Sequence, residues 1–197
     1  MVMTAMRKAI ISDEELIVQY LNGNEACLKM IINRHKSKIY TSIYLLVRDT
    51  YLAEDIFQDT FVKVINTLKK GQYKEEGRFM QWVMRIARNL VIDHFRRVAK
   101  LPPITDSDGN DVFSGMSILE ENREDEMIRE QTTERVRSLI QELPEEQKEV
   151  LVLRHYGNLS FKDISELTGV SINTALGRMR YALINMRKLI EKYNLTL

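Results

Sequence analysis

Residues 160–189 read SFKDISELTGVSINTALGRMRYALINMRKL, and from Ser171 to Leu189 this stretch carries Arg178, Arg180, Arg187 and Lys188 without one acidic residue. Ser160 is placed to cap a short helix whose apolar residues Phe161, Ile164 and Leu167 recur at helical spacing. Thr168-Gly169 ends it, because glycine accepts the left-handed conformation that closes a helix. Ser171 then offers its hydroxyl to the free amides of a second helix, in which Ile172, Ala175, Leu176, Met179, Ala182, Leu183 and Met186 form one apolar stripe. A short helix, a glycine turn and a longer capped helix make a helix-turn-helix, whose second helix enters a DNA major groove. Ser165 and Ala175 are small enough for a close crossing of the two helices. Asn173, Thr174, Gly177, Arg178, Arg180 and Tyr181 lie off the stripe and face outward. The bland alternative is a helical hairpin with a solvated basic face. Gly177 weighs against it, since inside a helix glycine is about 1 kcal/mol worse than alanine unless something packs close.

Working outward, 197 residues with 44% hydrophobic and 29% charged side chains describe one or two domains able to bury cores. The net charge of +1 hides strong local asymmetry. Between Arg78 and Lys100 the bases Arg78, Arg85, Arg88, Arg96, Arg97 and Lys100 face only Asp93, whereas residues 101–126 hold eight acids against Arg123. Clustering, not the total, sets an electrostatic footprint. The chain thus presents two basic surfaces and an acidic connector.

One cysteine, Cys27, rules out an internal disulfide, and its place on an amphipathic helix suits a small buried side chain. His35, His94 and His155 show no ligand spacing, so no metal and no cofactor are expected. The opening residues contain too short an apolar run for a signal peptide, and no stretch approaches a membrane span, which indicates the cytoplasm and no membrane insertion. No phosphate-cradling glycine loop and no nucleophile with a recognisable base is present, so no catalytic residue is assigned.

The fold class is all-α: two helical domains joined by a flexible linker, the second ending in the helix-turn-helix. Helices are predicted at Asp13 to Leu21 after Ser12, about Glu25 to Val47 after Asn22-Gly23-Asn24, about Tyr51 to Leu68 after Asp49 or Thr50, and about Phe79 to Arg97. The first domain covers 1–97. The stretch 98–125, rich in Pro, Gly, Ser and Asp, reads as an acidic linker, with helices resuming near Ile118. The second domain covers 126–197.

In AEDIFQDTFVKVI (53–65), Ala53, Ile56, Phe57, Thr60, Phe61 and Val64 form the buried stripe, leaving Glu54, Asp55, Gln58, Asp59 and Lys63 on the other face. In GRFMQWVMRIARNLVIDHFRR (77–97), Phe79, Trp82, Val83, Ile86, Leu90 and Ile92 point to a core, with Arg85, Arg88, Asn89, Asp93, Arg96 and Arg97 outside. Guanidinium groups interleaved with aromatic and amide side chains suit a single strand or a melting duplex. Trp82, within the apolar stripe, reads as core before it reads as a stacking platform.

Taken together, AEDIFQDTFVKV with FMQWVMRIARNLVIDHFRR resembles the first domain of the extracytoplasmic-function sigma factors of the sigma-70 family, and LPEEQKEVLVLRHYGNLSFKDISELTGVSINTALGRMRYAL resembles their second. The likeness runs from about Asp13 to Leu189. It implies a bacterial transcription initiation factor that guides core RNA polymerase to promoter DNA and helps melt it. It implies that Asp55, Gln58 and Asp59 dock on the polymerase clamp helices. It places minus-ten recognition on the loop from Gln72 to Arg78 and on Arg85, Arg88, Asn89, Asp93 and Arg96, where a base is flipped and held. It places minus-thirty-five recognition on Asn173, Thr174, Gly177, Arg178, Arg180 and Tyr181, with Arg178 the most recognisable. An anti-sigma protein is an implied partner. Two readings compete with it: an autonomous helix-turn-helix regulator with a ligand-sensing or dimerising first domain, and a DNA recombinase with a helix-turn-helix tail. The second of these needs a nucleophilic Ser or Tyr that the first domain does not offer.

Overall fold

Ser12 opens the first helix with a reciprocal cap: its hydroxyl accepts from the Glu15 amide at 3.1 Å while the Glu15 carboxylate accepts from the Ser12 amide at 3.0 Å. The computed structural model describes residues 11–74, 76–100 and 124–195. The predicted linker core at 101–123, and with it the restart near Ile118, lies outside the described residues.

Helix α1 (Asp13–Leu21) turns at Gly23 into α2 (Glu25–Val47). The latter stops at Arg48, a left-handed residue, and α3 (Thr50–Lys69) starts from Asp49, whose side chain accepts from the Leu52 amide at 2.9 Å. Phe79–Ala99 forms α4. These four pack as a bundle around Leu16, Ile31, Ile39, Ile43, Val64, Phe79 and Val83. On α4 the buried set is Phe79, Val83, Met84, Ala87, Leu90 and Val91. Trp82, Ile86 and Ile92 are half-buried, because the core stripe runs one residue to the side of its predicted line.

Helices α5 (Glu124–Gln141), α6 (Glu145–His155), α7 (Phe161–Thr168) and α8 (Ile172–Lys192) make the second unit, with α8 packed on α5, α6 and α7. The predicted helix-turn-helix is present. Ser160 and Asp163 form a second capping box, Gly169 takes φ +72°, and its amide donates to Ser165 O at 2.9 Å. The small Ser165 does more than leave room for a crossing: its hydroxyl donates to Val170 O at 2.6 Å and braces the turn. Ser171 accepts from the Thr174 amide at 3.0 Å to start α8. Among the described residues no helix is long and apolar enough to cross a membrane.

The two units are packed against each other, not held apart. Their apolar residues form one continuous core, α2 lies on α5 and α6, and the α6–α7 turn rests on α4. Gly157 allows that approach: a Cβ there would stand 2.7 Å from Leu153 O and 3.3 Å from Met84 Cγ of α4. Polar contacts frame the seam, with Arg48 donating to Gln141 O and Gln141 Nε2 donating to Leu45 O at 3.3 Å.

Candidate nucleic-acid interface

At the 3.6-residue repeat of an α-helix, Arg85, Asn89 and Arg96 fall within about 40° of one another, with Arg88 and Asp93 at either edge. One face of α4 therefore carries all five of the minus-ten candidates on that helix. The structure divides that face. Asn89, Asp93 and Arg96 are exposed, while Arg85 and Arg88 are drawn under the helix-turn-helix. Arg88, which the sequence places outside, is only 12% exposed; its Nε and Nη2 reach Glu149 of α6 at 2.9 and 2.8 Å, and its Nη1 donates to Leu167 O of α7 at 2.8 Å. Arg85 reaches Asp163 at 2.8 Å and Glu166 at 3.9 Å, and Arg78 reaches the other oxygen of Asp163.

Asp163 is 4% exposed and serves two structures at once, capping α7 through Ser160 and pairing both arginines. Burial alone would raise its carboxyl, but the Ser160 hydroxyl and amide, then Arg78 and Arg85, outweigh it and hold the group below the usual carboxylate range. The stability this lends is complete above that range and is lost only as pH falls through the lowered value. The seam at Asp163 should therefore stay unchanged from pH 5 to 8 and loosen only in acid, which chemical shifts of the Arg85 guanidinium would report.

Beside these arginines a cleft of about 310 Å³ is lined by Gln72, Tyr73, Lys74, Glu76 and Arg78 before α4 and by Gln81, Trp82 and Arg85 on it. Trp82 belongs to both core and cleft. Its ring centroid lies 4.3 Å from that of Tyr73 and 5.9 Å from that of Phe79. Flat walls with amide groups and cationic edges are the elements that receive an unstacked base.

On α8, Asn173, Thr174, Arg180 and Tyr181 are exposed, and Gly177 and Arg178 are half-buried. Among the described residues no carboxylate engages Arg178 or Arg180, so both guanidinium groups keep their charge for a partner. The apolar stripe is wider than the core it meets: Ala175 and Ala182 are buried, but Ile172, Leu176 and Leu183 stand about 44–45% exposed. Periodicity marks an apolar face without marking what covers it. On α3, Asp55, Gln58 and Asp59 are all exposed, on the side opposite Ala53, Ile56, Thr60 and Val64. Phe57 is half-buried, not core.

Two family models match the chain: Sigma-70 region 2 over residues 31–100 and Sigma-70, region 4 over residues 133–180. The chain belongs to the sigma-70 family. Within it, this sigma factor is of the extracytoplasmic-function type. It is 28% identical over 184 residues to the RNA polymerase sigma-H factor of Pseudomonas aeruginosa, a match spanning 91% of this chain and 92% of that one. It is 25% identical over 178 residues to the extracytoplasmic-function sigma factor SigW of Bacillus subtilis, spanning 87% and 93%. The fold is similar to that of the sigma factor RpoE from Bartonella quintana, solved with the anti-sigma factor NepR (TM-score 0.62, 19% identity, 83% of this chain and 96% of that one). It is also similar to that of CnrH in complex with the cytosolic domain of CnrY (TM-score 0.60, 21% identity, 92% and 99%).

Two residues of this sigma factor's polar seam, Glu149 and Asp163, were not singled out by sequence reasoning. The one available signal was Asp163 three residues after Ser160, the spacing of a capping box.

Gly177 yields a separable prediction. A Cβ there would meet no atom within 4 Å, so Gly177→Ala should stabilise the free sigma factor by about 0.5–1 kcal/mol in thermal unfolding. If a phosphate backbone comes close at that point, the same variant protects the upstream promoter element less well in a holoenzyme footprint. Equal protection would show that nothing approaches Gly177.

Proposed function

We propose that this sigma factor divides promoter recognition between its two helical units, 1–97 and 126–197, joined through 98–125. Asp55, Gln58 and Asp59 dock on core RNA polymerase. The cleft beside Trp82, with Arg85, Arg88, Asn89, Asp93 and Arg96, takes the melted minus-ten element. Asn173, Thr174, Gly177, Arg178, Arg180 and Tyr181 read the minus-thirty-five element in the major groove. The observation that carries this reading is the pairing, on one chain, of an exposed carboxylate and amide face on α3 with a helix whose Arg178 and Arg180 meet no carboxylate among the described residues. An autonomous regulator needs only the second.

The role is binding, with bond making left to the polymerase, and its place of work is the cytoplasm where that partner acts. Each half-site alone binds weakly; holding both units on polymerase makes the second contact intramolecular. An anti-sigma protein is a fitting regulator, in keeping with the complexes of the two structural neighbours.

The discriminating experiment compares promoter duplex binding by the free chain and by the chain with core polymerase. Specific protection should require polymerase. Tight, specific binding by the free chain would favour the regulator. In the holoenzyme, Arg178→Ala should reduce discrimination at one upstream base pair by about 1–3 kcal/mol, as expected for a bidentate arginine–guanine contact, measured as relative initiation on promoter variants.

A further inference from the structure

Three large apolar side chains of α8 stand open: Ile172 is 44% exposed, Leu176 44% and Leu183 45%. Scattered singly, such residues are ordinary on a protein surface. These three are aligned, falling within about 40° of one another at the repeat of an α-helix. Leu176 and Leu183 line a groove of about 450 Å³ with Phe161 of α7, and Arg180 and Arg187 supply its charge. Among the described residues no carboxylate pairs with either arginine, so the groove suits an anionic partner such as a duplex. Asn173, one turn before Leu176, and Arg180, one turn after it, are exposed and lie within about 60° of it on the helix. Leu176 therefore stands among polar groups in the opening turns of α8, the end of a recognition helix that reaches base edges. Leu183 lies two turns, about 10 Å, farther from that end.

The leucine side chain holds no hydrogen-bonding atom. In the major groove guanine, cytosine and adenine present donors and acceptors, and thymine alone adds a methyl group. Leucine pressed on a G·C pair leaves those polar atoms with neither water nor partner, whereas on thymine it buries one apolar surface against another. We infer that Leu176 is a specificity-determining residue that reads the 5-methyl group of a thymine in the upstream promoter element. This rests on the minus-thirty-five assignment made above and adds to its polar readers one that recognises carbon. Leu176 favours thymine twice over, by the contact it makes there and by the hydrogen bonds it denies to the other bases.

The test uses holoenzyme assembled from purified core polymerase and the full chain. Templates that initiate are selected from a library with randomised upstream and minus-ten elements, and one selected promoter serves as the probe. Each upstream thymine, on either strand, is then replaced singly by uracil, which pairs alike and lacks only the methyl group. Footprint titration should show about fourfold weaker upstream protection at one thymine or two adjacent ones, the scale of burying a single methyl group, and no change at the others. Leu176→Ala should lose the same factor on the selected promoter and nothing further when uracil takes that position. Leu176 is partly exposed and alanine is the best helix former, so circular dichroism should show α8 intact; the uracil arm needs no altered protein at all. Indifference to uracil at every upstream thymine overturns the inference, as does selection of an upstream element holding no thymine. So does a uracil effect that persists in Leu176→Ala. If the groove serves a protein instead, Leu176→Ala weakens polymerase binding or lowers initiation alike on every selected template, which also overturns it. Failure of the minus-thirty-five assignment shows separately, as upstream protection that survives Arg178→Ala. Where the assignment holds and only the methyl reading fails, protection falls with Arg178→Ala while uracil changes nothing.

Discussion

Changing Asp55, Gln58 and Asp59 together to alanine should weaken the association with core RNA polymerase by about 2 kcal/mol or more, roughly thirtyfold, the scale of an interface hot spot. The three side chains sit on one exposed face of α3, and none of them contributes to the core beneath. Alanine is the best helix former, so α3 should be as stable as before or slightly more so. That separates this variant from a folding defect. Titrating fluorescently labelled protein with core polymerase measures the loss directly, and unchanged helicity confirms its origin. An affinity within twofold of the parent would remove the α3 face from the polymerase interface.

The second large effect is on folding. Phe79→Ala should lower unfolding free energy in urea by about 3–5 kcal/mol, the range for truncating a buried phenylalanine. Phe79 is 2% exposed, and its ring packs against His35 at 5.8 Å, Tyr73 at 6.1 Å and Trp82 at 5.9 Å. It is also the first residue of α4, where no side chain caps the helix. Packing therefore anchors this end of the helix, whereas at the starts of α1, α3, α7 and α8 a side-chain oxygen accepts from a backbone amide. The same truncation leaves Trp82 and Tyr73 less well held, so the cleft should lose its shape along with the bundle its stability. A loss under about 1 kcal/mol would mean the surroundings collapse fully onto the gap, a result outside the known range for such sites.

Local chemistry made most of the fold legible. Ser12, Asn22-Gly23-Asn24 and Asp49 mark helix boundaries because each satisfies or interrupts backbone groups within a few residues of itself. Ser160, Gly169 and Ser171 do the same for the helix-turn-helix, and the structure places a cap or a left-handed turn at each. Phe57 and Trp82 fit less well, because a helical repeat says which way a residue points but not how much mass lies there. Ile172, Leu176 and Leu183 show the same gap on α8. The packing of the two units was not legible at all. Its contacts join Arg78, Arg85 and Arg88 to acids many turns away, and an isolated aspartate on a helix surface looks the same whether water or a guanidinium faces it.

The candidate site was legible to the same degree. Asp55, Gln58 and Asp59 of α3 and Asn173, Thr174, Arg180 and Tyr181 of α8 stand exposed where their off-stripe positions put them, whereas Gly177 and Arg178 are half-buried. The face of α4 was recognised as basic, yet two of its arginines are engaged, because engagement depends on the closed arrangement and not on the helix that carries them.

The most direct measurement of the division of labour is run-off transcription by purified core polymerase on a promoter library, with and without this chain. Transcripts should arise only when the chain is present and only from templates keeping both an upstream and a minus-ten element. With folded protein, a complete lack of stimulation across the library, or stimulation indifferent to either element, would contradict the account.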